Sequence, residues 1–526
     1  ASPLRDVYKR QSFAWYTAFP QIITRISHPN KNVWDALQAI ILRVASSYPQ
    51  QALWALLAVL HSTQDDRRAR GAAVLQRLRV SCRPGQNLAS ANKDKDTSKR
   101  KGASLDLKNL IIQGQRLTDA LLAACDAPIE SRVARVSLAR DLGFSHKLAP
   151  TPLVVPIEAN LLPNLPAGND SQTIRRHNPF PADAISIQSF DDEVLVLSSL
   201  QRPRKLNVRG SDGRSYGLLC KPKDDLRKDQ RLMEFNAMIN RALQKDIESS
   251  KRRLYIKTYA VTPLNEECGA IEWVEGLKPM RDIILRFYRQ RAIPIDYTEI
   301  RMLLNEASST PSKLPIFTDR ILARFIPVLH EWFVETFPEP EAWFAARLRY
   351  TRSCAVMSIV GHVLGLGDRH GENVLLEQGD GGTFHVDFNC LFDKGLTFEK
   401  PELVPFRLTH NMVDAMGPQG VEGPFRKAAE LTYKLLRQHE DTLITILETF
   451  VHDPTADFLG GKRRKKIPGV PDTPQEVLDI TRTKVNGYLK GESVPLSVEG
   501  YVDALIGMAR DPRNLAAMYI GWCAFF

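Results

Sequence analysis

Between Gly365 and Asn389 the chain reads GLGDRHGENVLLEQGDGGTFHVDFN. Asp368 and Asn373 stand five positions apart, the separation with which phosphoryl-transfer loops place a proton acceptor and a metal-holding amide. Val374–Leu376 and Thr383–Phe388 alternate like strands around a turn at Gln378–Gly382, so a hairpin is expected to fold Asp387 back beside Asn373. Two oxygen ligands suit a hard cation such as Mg²⁺, which takes phosphate oxygens and waters for the rest. A further carboxylate then stays free as base. Two rival chemistries fail on the same residues. A dinucleotide loop needs a glycine where His370 stands, and a strand rather than a helix before it. A zinc hydrolase needs clustered histidines, and His362, His370 and His385 lack that spacing. A polar hairpin whose Asp and Asn merely cap turns is the bland alternative, so partners elsewhere must decide.

Such a site needs a lysine against phosphate charge and a carboxylate to hold it. Gly217–Lys221 reads as a strand ending in lysine, followed by PKDDLRKD. Lys221 is the candidate, with Asp224 or Asp229 as its ion-pair partner. Lys223 falls on the same side by period-two alternation, which does not choose between the two. No glycine-rich phosphate loop precedes them. Ser198–Pro203 joins the first two strands instead, and its hydroxyl and backbone donors would have to cover the phosphates.

The elements that carry these residues read as α+β. Glu193–Leu197, Lys205–Arg209, Tyr216–Lys221, Arg253–Val261 and Gly269–Val274 are strand-prone, with a hairpin turn at Ser211–Gly213 and a helix over Leu226–Lys245. Beyond Ile300 the pattern is mostly helical, and the nearly uncharged Arg352–Leu366 must be a buried helix. Before this lobe pair, Trp34, Leu37, Ile41 and Val44 mark one helix, Leu53, Leu56, Leu57 and Leu60 a second, and Leu75, Leu78 and Val80 a third. Helical pattern returns over Leu105–Cys125, as in an α-solenoid. Leu148–Pro181 holds seven prolines and reads as an irregular connector. From Ser497 an apolar tail ends in Trp522 and two phenylalanines.

Length and charge bound the rest. A chain of 526 residues holds two to four domains. Its net charge of +11 is concentrated in runs at 93–101 (KDKDTSKRK) and 462–466 (KRRKK), with no interleaved aromatic residues for base stacking. These read as solvated loops. Seven scattered cysteines without a CxxC pair argue against disulfides or a zinc module and for a reducing compartment. No apolar stretch approaches the ~20 residues of a membrane span, and no signal peptide is visible. The opening residues, ASPLRDVYKR, read as mid-chain, so a C-terminal piece of something longer is expected.

LLCKPKDDLRKD, YAVTPLNEECGAIEWV, GLGDRHGENVLL, HVDFNCLF and VPFRLTHNMVDAMG together resemble the phosphatidylinositol 3-kinase-related protein kinases, in a fungal-like member of their checkpoint branch. The resemblance covers residues 190–526 densely and the helical N-terminal part more loosely. It implies a bilobal kinase fold, with a β-rich N-lobe and a helical C-lobe, preceded by an α-solenoid segment and followed by a short helical tail. The expected divisions are the end of a FAT solenoid (1–150), a connector (151–185), the N-lobe (186–274) and the C-lobe (275–455). Within the C-lobe lie the catalytic loop (365–376) and the activation segment (387–409). A regulatory insert (456–495) and a FATC tail packing on the activation segment (496–526) complete the chain.

Residue by residue, the resemblance implies Asp368 as catalytic base and Asn373 and Asp387 as ligands of Mg²⁺ or Mn²⁺. His370 would contact the γ-phosphoryl group of ATP. Lys221 would bind the α- and β-phosphates, with Asp224 its expected partner and Asp229 the alternative. Ser199 and Gln201 would line the phosphate-covering loop. Glu272, Trp273 and Val274 would form the nucleotide hinge, with Trp273 stacking on adenine over Leu375 and Val386. Asn389 departs from the usual Asp-Phe-Gly, a change this branch tolerates. The substrate would be Ser or Thr followed by Gln in proteins, in DNA-damage and replication-stress signalling. Leu391, Phe392, Leu396 and Phe398 are offered as an apolar pocket for that glutamine. The resemblance further implies a homodimer, an ATRIP-type partner subunit, activator proteins, indirect association with single-stranded DNA, no membrane, and the nucleus. A phosphoinositide kinase is the first alternative. Cys390–Val404 carries a net charge of about −1 and offers little to an anionic head group. A catalytically silent scaffold is the second, yet Lys221, Asp368, Asn373 and Asp387 are all present.

Overall fold

The computed structural model describes residues 10–81, 106–130, 132–166, 168, 170–199, 201–453, 467 and 469–526. Both basic runs, Cys82, Leu200 and residues 456–466 of the expected insert lie outside them. The chain divides into two compact units. The first comprises Ala1–Met233, Tyr259–Glu275 and Asp453–Ala456, and the second Glu234–Thr258, Gly276–His452 and Asp457–Phe526.

In the first unit the expected helical stripes become Lys31–Ser47, Pro49–Leu60, Asp65–Ser81 and Leu107–Asp126. Two of these start on a side-chain cap: Asn30 accepts from the N–H groups of Asn32 and Val33, and Asp106 from those of Lys108 and Asn109. The sheet comprises β1 (Arg135–Ser137), β2 (Thr151–Val154), β3 (Ser186–Phe190), β4 (Glu193–Val196), β5 (Arg204–Gly210), β6 (Ser215–Pro222), β7 (Val261–Pro263) and β8 (Cys268–Trp273). All pairs are antiparallel, in the order β1-β4-β5-β6-β8-β7, with β3 bridging β2 and β5. Helices and sheet share one core that includes Leu57, Leu117, Leu153, Leu206 and Leu218. The Trp54 indole N–H donates to the Val154 carbonyl at 3.0 Å across that core.

Two expectations need correction here. The proline-rich Leu148–Pro181 is not wholly irregular: it supplies β2 and the short helices Glu158–Leu161 and Ser171–Arg176. Pro152 is tolerated because β2 pairs on one side only. Arg253–Val261 is not a strand before Val261. Its middle is held by a side chain instead of a ladder, since Asn240 takes both the N–H and the C=O of Ile256, each at 2.7 Å.

The second unit is built on the 24-residue helix Pro340–Val363, whose C-terminal half is the expected buried segment. It leads into a small sheet of β9 (Leu277–Pro279), β10 (Val374–Glu377) and β11 (Thr383–His385), ordered β11-β10-β9. The tail forms helices Val498–Arg510 and Pro512–Ala516 and closes in a buried aromatic cluster. Phe525 lies 5.0 Å from Phe325, and Phe526 lies 5.8 Å from Tyr288, centroid to centroid.

Candidate active site

In the second unit the chain leaves the long helix through a turn closed by Leu366 N–H to Gly361 C=O at 2.8 Å. Gly365 takes φ +60°, and a Cβ there would strike the Asp393 backbone nitrogen. Asp368 at φ +59° and Asp387 at φ +58° also sit in the left-handed region, which aspartate visits more readily than most residues. β10 and β11 pair with Val374 opposite His385 and Leu375 opposite Phe384. The next rung is Val386 N–H to Asn373 C=O at 3.1 Å. Asp387 therefore emerges one residue past Asn373's cross-strand partner, as the hairpin expectation requires. The Asn373 amide nitrogen donates to the Asp368 carbonyl at 3.0 Å, which leaves its Oδ1 as acceptor in a buried position. Asp387 Oδ1 accepts from the Asn389 side chain at 2.9 Å.

His370 and Asp368 form a pair of opposite character. His370 Nδ1 accepts the Glu372 N–H at 3.2 Å, so the neutral ring carries its proton on Nε2, 4.0 Å from Asp368 Oδ1. Burial holds the imidazole below its ordinary pKa, against the pull of Asp368. Burial also holds the Asp368 carboxyl above the ordinary aspartate range; His370 and Arg369 oppose this and Asp387 adds to it. A carboxyl held above its ordinary range beside a neutral N–H donor is a pairing that proton transfer can use.

Three further residues hold this loop, and none was expected as a site residue. Arg369 is buried and donates to the Gly367 carbonyl at 2.9 Å, the Val386 carbonyl at 2.8 Å and the Asp387 carbonyl, so it staples the loop to the strand bearing Asp387. Glu402 accepts the Asp368 N–H with both oxygens, at 3.0 and 2.9 Å. Arg407 donates to the carbonyls of Arg369 (3.3 Å), Trp522 (2.7 Å) and Cys523 (3.0 Å), with its guanidinium 4.3 Å from the Trp522 ring centroid. Burial pushes its pKa down to about 10. The C-terminal tail is thus bonded to the expected activation segment and, through one arginine, to the loop. These roles escaped the sequence because their partners are backbone atoms. Their visible signal was the placement of charged residues in otherwise apolar stretches such as VPFRLT.

In the first unit, Lys221 is the penultimate residue of β6, opposite Gly269, and lies 3.6 Å from Asp224 Oδ2. Of the two expected partners the structure brings Asp224 to the lysine, while Asp229 is buried in the first turn of helix Arg227–Lys245. Lys223 lies beyond the strand, exposed and at φ +53°. Gln201 donates to the Lys223 carbonyl at 3.3 Å, and the Ser199 carbonyl accepts from Arg202 N–H at 3.0 Å. Trp273 pairs with Gly217, where a Cβ would collide with the indole side chain. Lys205 Nζ sits 4.7 Å from the indole centroid and 2.8 Å from Glu275. The Glu272 carboxylate instead braces backbone, accepting from Glu158 N–H at 2.8 Å and Ala260 N–H at 2.9 Å. Val274 follows directly. Leu375 and Val386 belong to the second unit, on and just beyond the hairpin strands. The suggested glutamine pocket is reduced there, because Leu391 and Phe392 are buried and Phe392 packs edge-on to Phe450.

Among the described residues no group of three or more His, Cys, Asp or Glu side chains forms a metal cage. Asn373 Oδ1 and the Asp387 carboxylate are hard oxygen donors on adjoining hairpin positions. They fit a cation that draws its other ligands from phosphate and water.

Residues 215–460 match the family described as phosphatidylinositol 3- and 4-kinase, and residues 495–526 match the FATC domain. Residues 5–94 match the description "Serine/threonine-protein kinase ATR-like, HEAT repeats", where a FAT solenoid had been expected. The chain is 48% identical over 518 residues to protein kinase rad3 of Schizosaccharomyces pombe, covering 98% of this chain and 21% of the relative. It is 39% identical over 525 residues to serine/threonine-protein kinase ATR of Arabidopsis thaliana, covering 98% and 18%. The chain thus spans about a fifth of the length of the curated relatives it matches. Among solved structures, the open conformation of CtTel1 superposes with a TM-score of 0.79 at 25% identity, over 99% of this chain and 19% of that one. The Tel1 kinase butterfly symmetric dimer gives 0.71 at 25% identity, over 97% and 21%. A lysine strand, a DRHGEN loop running into a metal-type hairpin and a FATC tail occur here in one chain, and by these likenesses the chain is similar to the phosphatidylinositol 3-kinase-related protein kinases.

Proposed function

We propose that this chain carries the catalytic machinery of a serine/threonine protein kinase. It transfers the γ-phosphoryl group of ATP to Ser or Thr followed by Gln, in nuclear DNA-damage and replication-stress signalling. The observation that carries the reading is the hairpin register that puts Asp387 beside Asn373 while the Asn373 amide holds the Asp368 peptide. Lys221, held by Asp224, neutralises phosphate charge. Asp368 accepts the proton of the attacking hydroxyl. His370, neutral and protonated on Nε2, donates toward the transferring group as its oxygens take up charge. Asn373 and Asp387 hold Mg²⁺ or Mn²⁺, which when bound neutralises the phosphate oxygens. Trp273 stacks on the adenine, and Ser199 and Gln201 lie on the loop that covers the phosphates.

The net charge of about −1 over Cys390–Val404 favours a polypeptide over an inositide head group. By likeness to its relatives the protein acts as a homodimer with an ATRIP-type subunit and activator proteins, and reaches single-stranded DNA through them. No helix among the described residues is long and apolar enough to cross a membrane.

The test is Mg²⁺- or Mn²⁺-dependent phosphorylation of peptide arrays with every residue at the position after Ser or Thr, by wild type and Asp368→Ala. Transfer to Ser/Thr-Gln peptides that Asp368→Ala abolishes is expected. Equal transfer by the two proteins would remove the enzyme assignment. A flat array would remove the glutamine preference, and transfer to phosphoinositide vesicles alone would favour the lipid reading.

A further inference from the structure

Glu402 stands 34 residues beyond Asp368, near the end of the expected activation segment, yet its two carboxylate oxygens both accept the Asp368 N–H, at 3.0 and 2.9 Å. The residue so held has φ +59°, a left-handed conformation that even aspartate adopts at some cost, which the grip on its N–H offsets. The side chain of Asp368 is only half-buried, 43% exposed, so its aim depends largely on its backbone. Space for the Glu402 carboxylate is made by two glycines, since a Cβ at Gly367 or Gly395 would collide with Oε2. Glu402 is itself anchored, its N–H donating to the Gly395 carbonyl at 3.1 Å. On the other side of Asp368, its carbonyl is taken by Asn373 at 3.0 Å and the next one by Arg407 at 3.3 Å. The Asp368 peptide is therefore oriented from both sides, and the activation segment supplies two of the three groups that do so.

We propose that Glu402 is a positioning residue for phosphoryl transfer: by gripping the Asp368 N–H it aims the base only while the activation segment is folded. This rests on the reading of Asp368 as the base. A folded activation segment then becomes a precondition for the chemical step and not for nucleotide binding. An uncharged acceptor at position 402 could make one of the two bonds, so Glu402→Gln is the conservative variant.

The experiment compares wild type, Glu402→Ala, Glu402→Gln, Gly395→Ala and Asp368→Ala in the full-length protein. It reads kcat and KM with a Ser-Gln peptide, equilibrium binding of a non-hydrolysable ATP analogue with Mg²⁺, and Tm. Misaiming a base by about 1 Å costs on the order of 100-fold, so Glu402→Ala should lose about that factor in kcat while nucleotide affinity stays within roughly twofold. Glu402→Gln should recover most of the loss. Gly395→Ala keeps the carboxylate but crowds it and should also lower kcat selectively, which decides the matter if Glu402→Ala fails to fold. Wild-type kcat in Glu402→Ala, or in Gly395→Ala when the former is unfolded, overturns the proposal. So does a parallel fall of kcat, nucleotide affinity and Tm without rescue by glutamine. Full activity in Asp368→Ala overturns the kinase reading itself, whereas an inactive Asp368→Ala beside a fully active Glu402→Ala overturns this inference alone.

Discussion

Asp368 meets two demands that oppose each other. As the proposed base it must be ionised, yet burial holds its carboxyl above the ordinary aspartate range. The folded chain therefore binds that proton more tightly than the unfolded chain does. Between the unfolded and folded pKa values stability falls as pH rises, and at neutral pH the charged form is a net cost to the fold. Asp368→Asn should consequently raise Tm at pH 7.5, by an amount that shrinks as the pH drops below the ordinary aspartate range, while removing ~10²–10⁴-fold of the transfer rate. Scanning fluorimetry at several pH values checks this; a lower Tm at pH 7.5 would contradict it. By the same shift, the acidic limb of kcat/KM should lie above the ordinary aspartate range. The hairpin that sets Asp387 next to Asn373's cross-strand partner was legible, because residue type and spacing announce it. Arg369, Glu402 and Arg407 were not, because what they hold is main chain, whose course no spacing rule displays.

At the scale of elements, the loop's geometry depends on segments far away in sequence. Lys484, on helix Pro474–Val485, donates to both oxygens of Asp393 at 2.8 Å and to the His362 carbonyl at 3.0 Å, tying the expected insert to the activation segment. Lys484→Met leaves that carboxylate without the ammonium in a mostly buried place. A loss of about 1–3 kcal/mol is expected, together with faster proteolysis near Asp393; unchanged Tm and cleavage would argue against the tie. The tail's aromatic end is fully buried, with Phe525 and Phe526 at 0% and 1% exposure. Phe525→Ala should therefore destabilise by ~3–5 kcal/mol in chemical denaturation, and a loss below 1 kcal/mol would put that packing in question. Long periodic helices and the hairpins at Ser211–Gly213 and Gln378–Gly382 were legible from pattern and turn residues. β1, β2, β3 and β9 were not. They are short or proline-bearing and gain their ladders from distant partners, so local propensity had little to announce.

At the scale of the whole molecule, Lys221 and Trp273 belong to the first compact unit and Asp368, Asn373 and Asp387 to the second. The helices before residue 130 share their core with the sheet that bears Lys221, so the solenoid-like part is no detachable appendage of that unit. Nucleotide with Mg²⁺ should stabilise the folded chain by about 2.7 kcal/mol at a hundredfold excess over Kd. Lys221→Met should diminish that shift, and a full shift in the variant would deny the lysine its phosphate role. The proposed site divides its labour on one loop and hairpin, with Asp387 and Asn373 holding the cation and Asp368 taking the proton. The most direct measurement follows Mg²⁺-dependent binding of an ATP analogue and γ-phosphoryl transfer on the same preparations of wild type, Asp368→Ala and Asp387→Ala. Asp368→Ala is predicted to bind as wild type does and transfer at least ~10²-fold more slowly, and Asp387→Ala to lose Mg²⁺-dependent binding and transfer together. Wild-type transfer by Asp368→Ala, or unaltered Mg²⁺-dependent binding by Asp387→Ala, would contradict it.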